Sequence, residues 1–441
     1  MKELISNLKG DKVIWSFVAL LALFSFMPIF SASSNLAYLN HGTGNTLSYL
    51  FKHLGLIFFG FLIIYGVHKT PYHYFKGLSL FLLPVVWLLL GYTLFKGTVI
   101  AGANASRWIK MPLGFTFQPS ALAAVVLFVF VARYLSKNRE EPITLKSSLI
   151  ELWIPVFITL ILILPANFST TALIFSMVLM ITFVGKYPLK YIGVIIGSAV
   201  VMFVFFVLLS KAFPESRFFS RVGTWTSRYE NFTKDKADED DYQIEKAKIA
   251  IASGGIYGLG PGKSVQKNFL PQSSSDFIYA IIVEEYGLIG GLGVLVMYLL
   301  LFFRFVIAAH TSNTLFGKLV VVGLGFPMIF QALINMGVAV ELLPVTGQTL
   351  PLISSGGSSI WMTCISLGII ISVTKKDEEV AEEIKEKENR DRVLQKLIDA
   401  QLEKENAMEE LIDAEIEREK EMGNYSIEDN SKNPMNAVLK K

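Results

Sequence analysis

The segment Asn268–Gly287, NFLPQSSSDFIYAIIVEEYG, sets three carboxylates where a polar loop turns into an apolar run. Asp276 stands at the junction, and Glu284 and Glu285 follow about two to three helical turns further in. A carboxylate is costly to dehydrate. At a bilayer edge it persists where it lines a wet cavity, meets a cation or does chemistry. Asp276 could take a proton from an alcohol and so make it a nucleophile; it suits equally well the N-cap of the helix that follows. At least one of Glu284 and Glu285 is expected to face a cavity or a basic partner, with structural ion pairing as the alternative.

Three further stretches carry donors and small residues. Gly102-Ala-Asn-Ala-Ser-Arg-Trp108 contains Arg107, whose fork of donors suits phosphate oxygens, and Trp108, which can stack on a sugar or anchor in the headgroup layer. Gln118-Pro119-Ser120 then opens an apolar run, with proline suited to a first helical turn and Ser120 to capping. Between 211 and 275 lie Lys211, Arg217, Arg221, Arg228, Lys246, Lys248, Lys263 and Lys267, together with the glycine-rich Ser253–Gly262 and with Gln266. Basic side chains beside exposed glycine amides would form a pyrophosphate site; a loop drawn to anionic headgroups is the plainer alternative. No strand precedes these glycines, so they do not indicate a nucleotide fold. Last, Leu342–Ser359 runs polar and glycine-rich into the final apolar block. There Ser354, Gly356, Gly357 and Ser358 either pack helices closely or face a ligand.

Positioning these groups takes a membrane body. Hydrophobic residues make up 52% of the 441 residues and charge is confined to a few stretches, which excludes an ordinary soluble protein. A bilayer core of about 30 Å needs roughly 20 apolar residues as a helix. Such runs recur near 13–31, 50–67, 76–95, 118–135, 148–165, 170–185, 188–210, 277–305, 315–340 and 352–374. The expected fold is therefore an all-α polytopic membrane protein with ten transmembrane helices over residues 1–374. The lysines and arginines of the short connections, such as Lys69, Lys76, Arg133, Lys137, Lys186 and Lys190, then fall on one side with both termini, and that side is cytoplasmic. The long 211–275 loop lies outside. The first apolar run lacks a small-x-small cleavage site and reads as a retained helix. The formal net charge of +3 says little, because it sums an apolar body and a charged tail. The one cysteine, Cys364, forms no intrachain disulfide and reads as core packing. No cluster has metal-ligand spacing, and nothing points to nucleic acid.

Residues 375–441 are a different material, dense in Glu and Lys. Val380, Ile384, Val393, Leu394, Leu397, Ile398, Leu402, Met408, Leu411, Ile412 and Ile416 form one stripe. This reads as a solvated helix ending near Gly423, or as a coiled-coil contact with a cytoplasmic partner, with disorder beyond.

Taken in order, these motifs resemble the shape, elongation, division and sporulation (SEDS) family, the FtsW/RodA group. Arg107-Trp108 with Gln118-Pro119-Ser120, Gly262–Lys267 with Phe269-Leu-Pro271, Asp276-Phe-Ile278 with Glu284-Glu285, and Leu343-Pro344, Gly347, Leu350-Pro-Leu352 and Gly356–Ser359 carry the resemblance. Ser106, the Ser264–Lys267 run and Thr349 look more like the division branch than the elongation branch. The resemblance implies peptidoglycan glycosyltransferase activity at the outer face of the bacterial cytoplasmic membrane, during septal synthesis. The substrate would be lipid II, a disaccharide-pentapeptide on undecaprenyl pyrophosphate. Asp276 would be the general base, and the other residues singled out, from Arg107 to Ser358, would bind substrate. The implied partners are a class B penicillin-binding protein and other division proteins, reached through the tail. No cofactor is demanded, though a divalent cation such as Mg could bridge the pyrophosphate.

The chain also departs from the family pattern. Ala121 and Ala124 replace a usual glutamate and lysine, so a buried ion pair is missing. Asn167 stands where an aspartate is usual, keeping turn chemistry without the charge. Gln272 and Ser355 replace a glutamate and a tyrosine. A lipid II flippase and a non-catalytic division scaffold are the alternatives. A flippase needs polar groups through the whole depth, whereas here they gather on the outer side.

Overall fold

A computed structural model of the chain describes residues 8–41, 46–97, 107–110, 116–138, 143–213, 222–223, 225–226, 239–375 and 377–430; Gly102–Ser106 and Arg217, Arg221 and Arg228 lie outside them. The chain divides into two units, Met1–Lys375 and Lys376–Lys441.

The first unit is helical. Its elements are α1 (Lys12–His41), α2 (Thr46–Lys69), α3 (Tyr74–Lys96), α4 (Pro119–Lys137), α5 (Leu145–Ile163), α6 (Phe168–Val184), α7 (Leu189–Ala212), α8 (Glu239–Gly254), α9 (Ile278–Thr311), α10 (Leu315–Ala339) and α11 (Ser358–Val373). A two-stranded hairpin, β1 (Ile109–Lys110) against β2 (Thr116–Phe117), precedes α4. Among the described residues, eight helices are long and apolar enough to cross a membrane, and α6 and α11 are apolar but shorter.

Local chemistry starts these helices where it should. Pro119 takes the first turn of α4. Asn167 caps α6 by accepting from Thr170 N at 3.3 Å, and Thr314 caps α10 by accepting from Gly317 N at 3.0 Å. Asp11 caps α1 through Val13 N at 2.9 Å. Asp11 also pairs with Arg304 of α9, and its amide donates to Thr374 Oγ1 at 2.9 Å, so one end of the bundle is clamped.

The centre is α4 and α10. In α4 nearly every residue from Ala123 to Leu135 is buried, and α10 buries most of Phe316–Ala332. α10 packs on α4, α6, α9 and α11, and α2 packs along α11. Cys364 is buried where α11 meets Gly60 of α2. α7 lies at the edge and buries only Ile192, Ile195 and Ser210.

Several element ends differ from expectation. The last apolar run, expected as helix from 352, is turn and loop up to Gly357, because Leu352 and Gly357 adopt φ +66° and +53°, outside the right-handed helical region. α5 carries a π-helical turn at Leu149–Trp153. The long loop contains α8, which was not anticipated; it buries Ile244, Ala247 and Ala250 against α9.

The second unit is one helix, α12 (Asp377–Asn430). It continues past Gly423, where sequence composition placed its end. Val393, Leu394, Leu397, Ile398, Leu402, Met408, Leu411, Ile412 and Ile416 are exposed along it.

Candidate functional site

The polar loops meet at the bundle end opposite the Asp11 clamp. Asp276 lies half-buried two residues before α9, whose N-cap position is taken by Phe277. Asp276 is thus not the N-cap that its position allowed. Its loop is held by its own backbone. Ser354 Oγ donates to Ser275 O at 2.6 Å, Ser355 N to Ser274 O at 2.9 Å, and Asn335 Nδ2 to Asp276 O at 2.7 Å. Gly347 adopts φ +65°, and a Cβ there would lie 3.5 Å from Asp276 Oδ2. A glycine turn therefore faces the carboxylate.

Ser354 is closed into this framework. It accepts from Leu350 N, donates to Ser275 O and is buried. Ser358 accepts from Gln118 N at 2.9 Å, and Gln118 Nε2 donates to Ser120 Oγ at 3.0 Å. The start of α11 and the start of α4 are so joined, with Thr116 of the hairpin beside Gly357. Gly356 belongs to the same turn, where its amide donates to Ser354 O at 2.8 Å. Arg107 and Trp108 enter the hairpin half-buried. Asn167 is the cap of α6, in line with turn chemistry rather than catalysis.

A second cluster lies beneath the glycine-rich loop. α9 is broken at Gly287, which has φ +68° and ψ −171°. The amides of Leu288 and Ile289 donate to Gly255 O and Ile256 O at 2.9 and 3.3 Å. In return Glu284 O and Glu285 O accept from Leu259 N and Gly260 N, each at 2.9 Å. Two opened rungs of the helix are thus closed by loop backbone, as irregular backbone at membrane depth requires. This corrects the expectation of exposed amides here: those of Gly258, Leu259 and Gly260 donate to Gly254 O, Glu284 O and Glu285 O within the protein.

The glutamates complete this lock. Glu284 is 0% exposed and accepts from Val265 N at 2.9 Å, from Gln266 N at 3.2 Å and from Ser264 Oγ. Glu285, 1% exposed, accepts from Ser31 Oγ and from Ser264 N at 3.3 Å. Neither makes an ion pair among the described residues, so the expected salt bridge is replaced by amide and hydroxyl donors. Lys267 reaches Glu285 only through Ser31, donating to Ser31 Oγ at 3.2 Å and to Gly262 O at 2.8 Å. Gln266 holds the turn by its backbone, and its Oε1 is buried without a partner. Lys248 pairs with Glu341 and so is not an uncommitted phosphate ligand. Lys263 is exposed on the loop and makes no ion pair among the described residues.

Sequence reasoning missed Asn335, Gln331 and Gln348, which tie the loops together. Asn335 Nδ2 also donates to Gln348 O at 2.7 Å, Gln331 Nε2 to Thr349 O at 2.9 Å, and Gln348 Nε2 to Thr170 Oγ1 at 3.0 Å. The available signal was a pair of amide side chains at i and i+4 in an otherwise apolar helix. No three His, Cys, Asp or Glu side chains gather as a metal-ligand set among the described residues.

An all-α membrane protein whose polar loops converge on a carboxylate at one end of its helices is the class that this fold and site define. Residues 11–379 match the family described as "Cell cycle protein", FtsW/RodA/SpoVE, and the chain belongs to it. Its relatives include a protein of Nitrosomonas europaea named "Probable peptidoglycan glycosyltransferase FtsW". That one is 30% identical over 373 residues, covering 82% of this chain and 92% of the relative. One of the same name from Marinomonas mediterranea is 31% identical over 400 residues, covering 88% and 93%. Among solved structures, the fold matches a chain of a peptidoglycan synthase complex at a TM-score of 0.62 and 24% identity, covering 83% of this chain and 97% of that one. It also matches the rod shape determining protein RodA of Thermus thermophilus at 0.59 and 23%, covering 83% and 96%.

Proposed function

We propose that this chain is a peptidoglycan glycosyltransferase that polymerises lipid II at the outer face of the bacterial cytoplasmic membrane, in septal synthesis. The names carried by its relatives support the activity and the division role. The observation that carries the mechanism is the placing of Asp276. Its loop is fixed through backbone carbonyls, while its side chain is half-buried against the Gly347 turn.

In this reading Asp276 accepts the proton of the acceptor sugar's 4-hydroxyl. The oxygen attacks the anomeric carbon of the lipid-linked strand and a new glycosidic bond forms. The bond from that carbon to the pyrophosphate breaks, and undecaprenyl pyrophosphate leaves with the electron pair. Arg107 and Lys263 would supply positive charge to the leaving diphosphate; Lys248 pairs with Glu341, and Lys267 donates to Ser31 and Gly262. A divalent cation such as Mg would travel with the pyrophosphate. The apolar flank of α7, which buries few residues, suits a polyprenyl chain. The working partner is a class B penicillin-binding protein, which cross-links the product. In this reading both termini are cytoplasmic, on the charge rule for the lysines and arginines of the short connections.

The test is Asp276→Asn in the full chain, purified with its transpeptidase and supplied with lipid II. The expected result is loss of glycan polymer by at least about 100-fold, the scale of a general base, with insertion and partner binding kept. Wild-type polymerisation by the variant removes the base. Lipid II translocation without polymer in either protein replaces this reading by the flippase.

A further inference from the structure

The reaction scheme leaves one buried polar group of α10 unused. Asn335 is 1% exposed, and its Nδ2 donates to Asp276 O and Gln348 O, each at 2.7 Å. A side-chain amide has two protons to donate, so both are engaged. Asn335 Oδ1 is buried and has no partner. The side chain serves through its donors.

The two carbonyls belong to the two segments that flank the carboxylate. Asp276 carries it, and Gln348 follows the Gly347 turn that lies against Oδ2. Asp276 precedes the first turn of α9, so helical hydrogen bonding does not fix its backbone. Gln331, one turn earlier on α10, grips the adjoining residue of the same loop, donating to Thr349 O at 2.9 Å and to Thr349 Oγ1 at 3.2 Å rather than to Asp276. The helix thus offers two similar grips, of which one includes the base.

We propose that Asn335 is a positioning residue for Asp276, fixing the carboxylate relative to the Gly347 turn so that an acceptor hydroxyl meets it in line. The inference rests on the glycosyl-transfer reading of the site. In a buried site, losing the donors leaves two carbonyls unsatisfied and the Asp276 loop free to shift. A shift of about 1 Å at a reacting group costs on the order of 100-fold in rate. The loss falls on kcat, because the substrate's contacts are elsewhere.

The experiment compares Asn335→Leu, an apolar replacement of similar volume, with Gln331→Leu in the full chain and its transpeptidase partner. With lipid II as substrate, Asn335→Leu is expected to lower kcat about 10- to 100-fold with KM changed by less than about threefold, and Gln331→Leu to keep kcat within about threefold. Asn335→Gln, which keeps the NH2 group on a longer arm, is expected to recover part of the lost kcat. A second readout is independent of turnover. In an Asp276→Cys background, the rate of modification by a small charged thiol reagent should change at least about fivefold on Asn335→Leu and less than about twofold on Gln331→Leu. Native Cys364 is buried and silent in this assay. Equal effects of the two leucine variants on both readouts would make Asn335 a packing residue and overturn the proposal. Should Asn335→Leu fail to fold, Asn335→Ser, whose single hydroxyl proton cannot serve both carbonyls, decides. A kcat-specific loss with a wild-type melting temperature supports positioning, and wild-type kcat overturns it. Were wild type to make no glycan while Asn335→Leu alone altered the thiol rate, the positioning would stand and the glycosyltransferase reading would fall.

Discussion

Glu284 and Asp276 are carboxylates on the same stretch of chain with opposite uses. Glu284 faces donors on both oxygens, the amides of Val265 and Gln266 and the hydroxyl of Ser264. In Glu284→Gln an NH2 group replaces one of those oxygens and points at donors. An unsatisfied buried group costs about 1–3 kcal/mol, so the variant should melt several degrees lower in detergent, with activity falling only as the folded fraction falls. Asp276→Asn should behave in the reverse way, with wild-type melting and no polymer. Melting and turnover measured on both variants check the pair; a catalytic Glu284 would show activity loss at unchanged stability. The depth and charge of both carboxylates were legible in the sequence. Their division of labour was not, since two of the three residues that donate to Glu284, Val265 and Gln266, do so through backbone amides, and backbone donors leave no mark on residue type. Asn335 escaped for a related reason: amides such as Gln331 and Asn335 in an apolar helix read equally as packing.

At the scale of elements, the break in α9 is the feature that sequence concealed. The apolar runs that became helices were visible by length alone. The break was not, because Gly287 lies in an apolar run that reads straight through. The glycines of 254–260 were visible but their purpose was misread, as glycine permits close approach of a ligand and of another backbone alike. A Cβ on Gly258 would come within 2.2 Å of Glu285 O, and one on Gly287 within 2.2 Å of Ile256 O. Both residues also have positive φ, where an L side chain adds strain. Gly258→Ala is therefore expected to cost about 3 kcal/mol or more, through overpacking and strain together. The check is a thermal melt and limited proteolysis of the 253–268 loop. Gly262→Ala supplies the comparison, since a Cβ there meets no atom within 4 Å and only the φ penalty remains. Equal melting of the two variants would show that the loop does not lock the helix. α8 was hidden by its charges, yet Ile244, Ala247 and Ala250 recur at helical spacing and are the residues it buries.

For the whole molecule, the division at Lys375 separates an apolar body from a charged helix. The body keeps its own closure: Thr374 accepts from Asp11 N, and Asp11 pairs with Arg304. A chain ending at Lys375 retains all three residues of that clamp. The long α12 helix, by contrast, exposes its apolar stripe along its length, which on a charged helix points to recruitment rather than to stability. Body and tail were separable in the sequence because the change in composition is abrupt. Removing residues 376–441 should therefore leave the melting temperature within about 2 °C, equivalent to about 1–2 kcal/mol in a body of this size. It should also leave polymerisation of lipid II with the transpeptidase within about twofold, below the scale expected for a catalytic group. What should change is localisation to the septum in cells expressing the truncated chain at native level. Loss of polymerisation by a well-folded body would mean that the tail completes the site. An unchanged septal pattern would mean instead that the stripe on α12 recruits nothing needed there.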